Sequence, residues 1–512
     1  MTSRVNNTIK NILWGNVSQV VSLLVKFVSR TVFIYYLGQA YMGVSGLFAN
    51  VLGVLAFSEL GIGTAMNYAL YKPVAEDDKE KIKSLMALYK KAYRVIALIV
   101  ALAGMALLPF LRYLVKDPGN IGNIHVYYLI FLFDTATSYL VSYKYSLVSA
   151  EQKSYVMTNV NMVVTILVSV VQIVGMFLYQ SFMLYLMIQA VMGIGVKVFN
   201  AWYLDRRYPF LKGDAQPLEK CEVAGIKKNV FALIVHKIGD VCVHQTDNIL
   251  ISAFISLQVT GMISNYNYII VTVTGFLSII FSSVIGSLGN LIASENTEKQ
   301  YAIFKTYRVV GFWLYGFCAL AYFTLFQPFI AIWAGPNWVV DELSVFLICL
   351  ERYNIGHRMV VNNFKSAAGI FEQDKWVAFG QAAVNLGVSI AMVKKIGLPG
   401  IYVGTVVQGL LATVVKPTIL YKYAFHKPVW LYFGDSLKYL AVELALGAIL
   451  FVIRKIIVPD LATVSLASVL ALFGLAAVIP NVAFIILFHN TREFKYLWGI
   501  FHDKFFVKAG LC

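Results

Sequence analysis

Charge is what this chain has least of. Of its 512 residues 13% are charged, against about 25% in an ordinary water-soluble domain. Acidic residues number only 26 and prolines 12. The five cysteines, Cys221, Cys242, Cys318, Cys349 and Cys512, are scattered with no CxxC, which excludes a disulfide scaffold and a zinc site. No phosphate-cradling G-x-x-x-x-G-K-[S/T] is present, so ATP hydrolysis by that loop is excluded. H-E-x-x-H and G-x-S-x-G are missing too. The hydrophilic connections are short, the longest near 72–84, 205–227 and the tail from His489. None is long enough for a separate domain. The first apolar segment is too long for a cleavable signal and carries Lys26 and Arg30, so it is expected to be a retained span.

What remains is apolar. Hydrophobic residues make up 59% of the chain, above the roughly 45–50% of soluble proteins. A crossing helix needs ~20 such residues, and hydropathy places about fourteen. They fall near 11–37, 43–71, 85–115, 124–150, 156–179, 182–204, 228–254, 261–291, 302–333, 342–370, 376–395, 398–420, 435–457 and 462–488. The expected fold is an all-α polytopic membrane protein. The net charge of +16 then has a topological reading. With the N-terminus inside, the inside segments gather clusters such as Lys72, Lys79, Lys81, Lys83 and Arg206, Arg207, Lys212, Lys220. The outside loops offer Lys116, Lys394 and Lys395. This is the positive-inside asymmetry, which puts both termini in the cytoplasm and needs no nucleic-acid partner.

A repeat runs through these spans. Ile9-Lys10-Asn11 returns as Ile226-Lys227-Lys228-Asn229, and Gly43 as Gly261. Tyr93-Arg94-Val95 returns as Tyr307-Arg308-Val309, and Glu151-Gln152 as Glu372-Gln373. The offset is one value within a few residues and corresponds to six spans, so the halves are parallel repeats. The expected layout is 6 + 6 + 2: a lobe over 1–220, a second over 221–425, and an added helix pair with a tail over 426–512. Two parallel lobes suit transport by alternating access. Duplicated membrane proteins can also be scaffolds, and that alternative stands.

Charges inside spans are the candidate site, because each costs about 2.5–3.5 kcal/mol at mid-bilayer unless it meets water or a partner. Span 1 carries Lys26 and Arg30 on one face; span 2 carries Glu59. Span 4 carries Asp134 and Lys144. Span 7 carries His236, Asp240, His244 and Asp247 on one face, and span 10 carries Glu351, Arg358 and Lys365. A hydrated cleft lined by spans 1, 2, 4, 7 and 10 is the simplest geometry. Snorkelling toward headgroups competes for Lys144 and Lys365. The His236–Asp240–His244 spacing could hold a metal, but no third strong ligand follows, so no metal and no cofactor are expected. Acid–base pairs for catalysis come close only at Glu351 and at Asp240 near His236, so no enzyme is expected. Cleft-face tyrosines such as Tyr68, Tyr139 and Tyr266 could stack on sugar rings.

Ser58-Glu59-Leu60-Gly61-Ile62-Gly63-Thr64-Ala65 and Gln245-Thr246-Asp247-Asn248-Ile249-Leu250-Ile251-Ser252, with Ser264-Asn265-Tyr266 beyond, resemble motifs of the polysaccharide flippases of the MOP exporter superfamily. The resemblance covers nearly the whole chain, the last two spans matching in hydropathy only. It implies a polyprenyl-pyrophosphate-linked oligosaccharide moved from the inner to the outer leaflet of a bacterial cytoplasmic membrane. It also implies service to O-antigen, capsule or exopolysaccharide assembly, with a polymerase and glycosyltransferases as further partners. A pyrophosphate favours Lys and Arg along its route. The alternatives within the superfamily are a multidrug exporter and a lipid-II-type flippase. Outside it stands a non-transporting scaffold of a glycan-assembly complex.

Overall fold

Gly38 breaks the first helical run. Helix α1 spans Thr2–Leu55, and 54 residues at ~1.5 Å each would reach ~80 Å, far beyond a ~30 Å hydrocarbon core. Gly38 is its non-helical residue, at φ 79° and ψ −169°, a backbone region that a residue without Cβ enters freely. The run is thus two spans meeting at a turn, inside the gap expected between 37 and 43.

The structure, a computed structural model, describes residues 2–55, 62–116, 121–151, 153–213, 215–226, 230, 245–370, 373 and 376–502. Among them every regular element is helical. After α1 come α2 (Ile62–Ala75), α3 (Lys79–Leu107), the short α4 (Leu111–Leu114), α5 (Ile124–Ala150), α6 (Ser154–Tyr179) and α7 (Phe182–Arg207). Then follow α8 (Thr246–Phe254), α9 (Leu257–Ser283), α10 (Ile285–Ser294), α11 (Thr297–Trp333) and α12 (Glu342–Ala367). The chain closes with α13 (Val377–Ile396), α14 (Leu398–Leu420), α15 (Trp430–Ile457), α16 (Leu466–Phe488) and α17 (Arg492–His502). Short polar residues start many of them by satisfying first-turn N–H groups. Asp78 accepts from Lys81, Asn123 from His125 and Val126, Ser181 from Leu184, Asn296 from Lys299, and Asp341 from Ser344.

This is a polytopic membrane protein. Ten helical segments among the described residues are long and apolar enough to cross a bilayer, where hydropathy along the chain placed about fourteen. The difference has physical sources. One counted segment, Val17–Leu55, holds the turn at Gly38. The expected seventh span lies mostly outside the described residues. Helices α12 and α15 fall short because they carry Glu342, Glu351, Arg352, Arg358 and Lys365, and Asp435, Lys438, Glu443, Arg454 and Lys455 respectively.

The chain divides into two compact units, Met1–Ser264 and Asn265–Cys512. In the first, α1 packs along α6, and α5 packs against both α3 and α7. The repeat-related glycines of the sequence meet here. A Cβ at Gly43 would strike the backbone carbonyl of Leu257, and one at Gly261 would strike that of Gln39. Small residues let two membrane helices approach this closely. In the second unit, α11 is the central helix, buried along most of its length against α12, α15 and α16. Helices α13 and α14 pair through buried polar contacts: Gln381 donates to Gln408 at 2.6 Å and Ser389 to the Ile401 carbonyl at 3.0 Å. Away from water, such bonds hold helices together where hydrophobic burial cannot.

Candidate functional site

The intramembrane charges of the first unit are organised between α5 and α7. Lys144 of α5, its side chain 12% exposed, lies 2.6 Å from Asp205 of α7 and also donates to the Ala201 carbonyl at 3.3 Å. Two to three turns away, Lys197 of α7 lies 2.6 Å from Asp134 of α5, and donates to the Asp134 carbonyl and Thr137 hydroxyl as well. Between them Asn200 donates to the Tyr145 hydroxyl at 2.9 Å. The two helices therefore share a polar ladder with a lysine contributed from each side. Asp205, nearly half exposed, leaves the Lys144 end of the ladder open to solvent or cargo. The sequence reading had Lys144 but neither partner helix nor partner acid, because Asp205 sits beside Arg206 and Arg207 at the end of a run and reads as loop.

Helix α1 carries two further cations of this unit. Lys26 is exposed. At 100° per residue it lies on the opposite side of the helix from Leu24 and Val28, which are exposed with Val17 and Val20 as an apolar stripe. Arg30 is half-buried, as is Asp247 in the first turn of α8. Glu59, His236 and Asp240 lie outside the described residues.

In the second unit three charges of α12, Glu351, Arg358 and Lys365, are buried. Glu351 and Arg358, two turns apart, form an ion pair of 2.5 Å with side chains 3% and 9% exposed. Glu351 Oε2 and Arg358 Nη1 have no hydrogen-bond partner among the described residues. Room for the pair comes from α14: a Cβ at Gly409 would strike Glu351 Oε2 and stand 2.6 Å from Arg358 Nη1. Lys365, one helical face along, is also buried. Tyr266 is fully buried, and its hydroxyl accepts from the Val340 N–H at 3.2 Å. It is a core residue and offers no face to a sugar; Tyr139 is buried too, and the side chain of Tyr68 lies outside the description.

Helix α15 adds a second set of charges that repeat reasoning passed over, since spans 13 and 14 have no counterpart in the first half. Arg308 of α11 is clamped there: its guanidinium lies 4.0 Å over the Tyr432 ring, donates to Ser436 at 2.8 Å and faces Asp435 at 3.6 Å. Its repeat equivalent, Arg94, is exposed. Near the other end of α15, Arg454 pairs with Glu342 of α12 and donates to the Phe323 carbonyl at 3.1 Å. No group of His, Cys, Asp and Glu suited to a metal ion occurs among the described residues.

Helices of this order and packing have counterparts among solved structures. The lipid II flippase MurJ, in an inward closed conformation, matches with a TM-score of 0.66 at 14% identity, over 93% of this chain and 99% of that one. An inward-facing multidrug resistance MATE family transporter of the MOP superfamily matches with a TM-score of 0.60 at 15% identity, over 77% and 92%. The chain shares its fold with these two structures. A mutant of the Vibrio cholerae MATE transporter VcmN also matches, at 0.50 and 14% identity, over 84% and 100%. At these identities the likeness concerns the fold alone. No protein-family model and no curated protein matches the sequence.

Proposed function

We propose that this protein is a flippase that moves a polyprenyl-pyrophosphate-linked oligosaccharide from the cytoplasmic to the outer leaflet of a bacterial cytoplasmic membrane by alternating access. The observation that carries the reading is the fold match to a lipid II flippase over 93% of the chain. The motifs around Glu59 and Asp247 and the cationic side chains support the lipid-linked sugar as cargo. Lys26, Arg30, Lys144, Arg358 and Lys365 are assigned to the pyrophosphate, whose oxygens make strong charge-assisted bonds with such donors. Glu59, His236, Asp240 and Asp247 are assigned to the sugar passage and to balancing charge.

The ladder suggests how cargo is gripped. Lys144 is engaged by Asp205, so a phosphate binds it by displacing that carboxylate at the exposed end of the pair. The expected orientation has both termini in the cytoplasm, and a polymerase and glycosyltransferases of surface-glycan assembly are the proposed partners.

Purified protein in proteoliposomes, loaded with a fluorescent pyrophosphate-linked oligosaccharide, tests this directly. Quenching from outside should reveal protein-dependent movement between leaflets. No movement above empty liposomes would favour the scaffold. A second reading, export of a drug, has the MATE fold match behind it; it predicts uptake of a soluble drug and none of the lipid-linked sugar.

A further inference from the structure

Helix α15 carries one buried carboxyl that no neighbour among the described residues answers. Asp435 faces Arg308 and Arg454 pairs with Glu342. Glu443 lies between them, ~12 Å of rise from the first and ~16 Å from the second, near the middle of the helix. It is 7% exposed, and neither carboxyl oxygen has a hydrogen-bond partner among the described residues. It presses on α11, where a Cβ at Gly316 would stand 2.7 Å from Oε2. A buried carboxyl left without a donor costs several kcal/mol, and one at membrane depth marks a functional position more often than a packing accident.

Glu443 also lines a cavity of about 400 Å³, a size within the range of small-molecule sites. Helices α11, α12 and α15 enclose it. Its wall is aromatic and aliphatic, with Phe323, Phe346, Tyr353 and Phe451 among the lining residues. Apart from Glu443, only Tyr353 and Cys349 of the lining bring polar side-chain atoms, and the Tyr353 hydroxyl is itself buried without a hydrogen-bond partner among the described residues. One side is open. Leu444 and Val452 form its rim and continue the exposed apolar stripe of Leu437, Ile449 and Ile456. In a bilayer such a stripe faces acyl chains.

We propose that this lateral cavity is a binding site for a lipophilic ammonium ion that enters from the hydrocarbon. The chemistry selects that class. An anion meets no cationic side chain in the lining, and a neutral hydrocarbon leaves the carboxyl unanswered. A hydrated metal ion needs several oxygen ligands, which the wall does not supply. An alkylammonium is weakly hydrated, pairs with the carboxylate, and packs its alkyl chain on the aromatic and aliphatic wall. The site lies on α15, apart from the residues assigned to the sugar passage, and does not rest on that assignment.

The test uses the full chain in phosphatidylcholine nanodiscs and radiolabelled octyltrimethylammonium, with empty discs as the partition blank. Saturable binding above the blank is expected, with 2,2-dimethyldecane, the uncharged carbon isostere, competing at least tenfold less well. Glu443→Gln should weaken cation binding tenfold or more. Ala448→Phe fills the cavity while keeping the carboxyl, so it should abolish binding even where the Gln variant fails to fold. Absence of saturable binding to the parent, equal competition by the isostere, or parent-like binding by either folded variant would overturn the proposal.

Discussion

The Glu351–Arg358 pair permits a quantitative test of what holds the second unit together. Removing one member, as in Arg358→Leu, leaves a carboxylate that is 3% exposed facing the space over Gly409. A buried pair broken on one side costs about 3–5 kcal/mol, mostly from the charge left behind. Glu351→Leu should cost a similar amount by stranding the guanidinium. The double variant should differ. One oxygen and one nitrogen of the pair already lack hydrogen-bond partners, so the native arrangement recovers little beyond its own Coulomb energy. Replacing both groups with apolar side chains should then fall within about 1 kcal/mol of the parent, or above it. The assay is a reversible SDS titration of detergent-solubilised protein, followed by helical circular dichroism and by dye labelling of Cys349, which is buried on the same helix. Two single variants within 1 kcal/mol of the parent, or a double variant worse than either single, would refute the reasoning.

Other expectations follow from the same structure. Gly261→Val should destroy folded yield, because the added side chain meets the Gln39 carbonyl and the Gly43 N–H, neither of which can rotate away. Gly387→Ala, with nothing within 4 Å, should express and run on size exclusion like the parent. Asp205→Asn should free Lys144 from its carboxylate and tighten binding of the pyrophosphate-linked sugar several-fold; unchanged or weaker binding would remove Lys144 from the loading step. The C-terminal helix α17 should release in acid. Burial pushes the Glu493 carboxyl up, but the hydrogen bond from Lys305 at 2.8 Å and neighbouring positive charge outweigh it, so the group titrates below the usual carboxylate range. A depressed carboxylate contributes its stability above the unfolded value of about 4.3 and loses it as pH falls through the lower folded value. Protection factors for hydrogen exchange across 492–502 should therefore hold from pH 7 to 5 and fall below about pH 4. A reporter fused at Lys508 should read cytoplasmic; activity only outside would reverse the topology.

Much of the architecture is a consequence of one-dimensional pattern. A chain with this little charge and runs of this length can satisfy its backbone in lipid only as helices, so the all-helical polytopic class follows from composition. The turn at Gly38 sits where hydropathy leaves a gap. The glycines matched by the repeat, Gly43 and Gly261, are those that the first unit brings into backbone contact. Those inferences need only periodicity and a residue without Cβ. Partner choice needed the tertiary structure. Nothing in the sequence near Lys144 names Asp205, 61 residues on, and nothing near Arg308 names Asp435 or Tyr432. A membrane helix carries its polar residues at a spacing that shows which face they share, but which helix meets that face is decided by packing. The same holds for Glu443. In the sequence it is one acid in an added span; only the approach of α11 and α12 encloses it beside an aromatic cavity and leaves its oxygens unanswered.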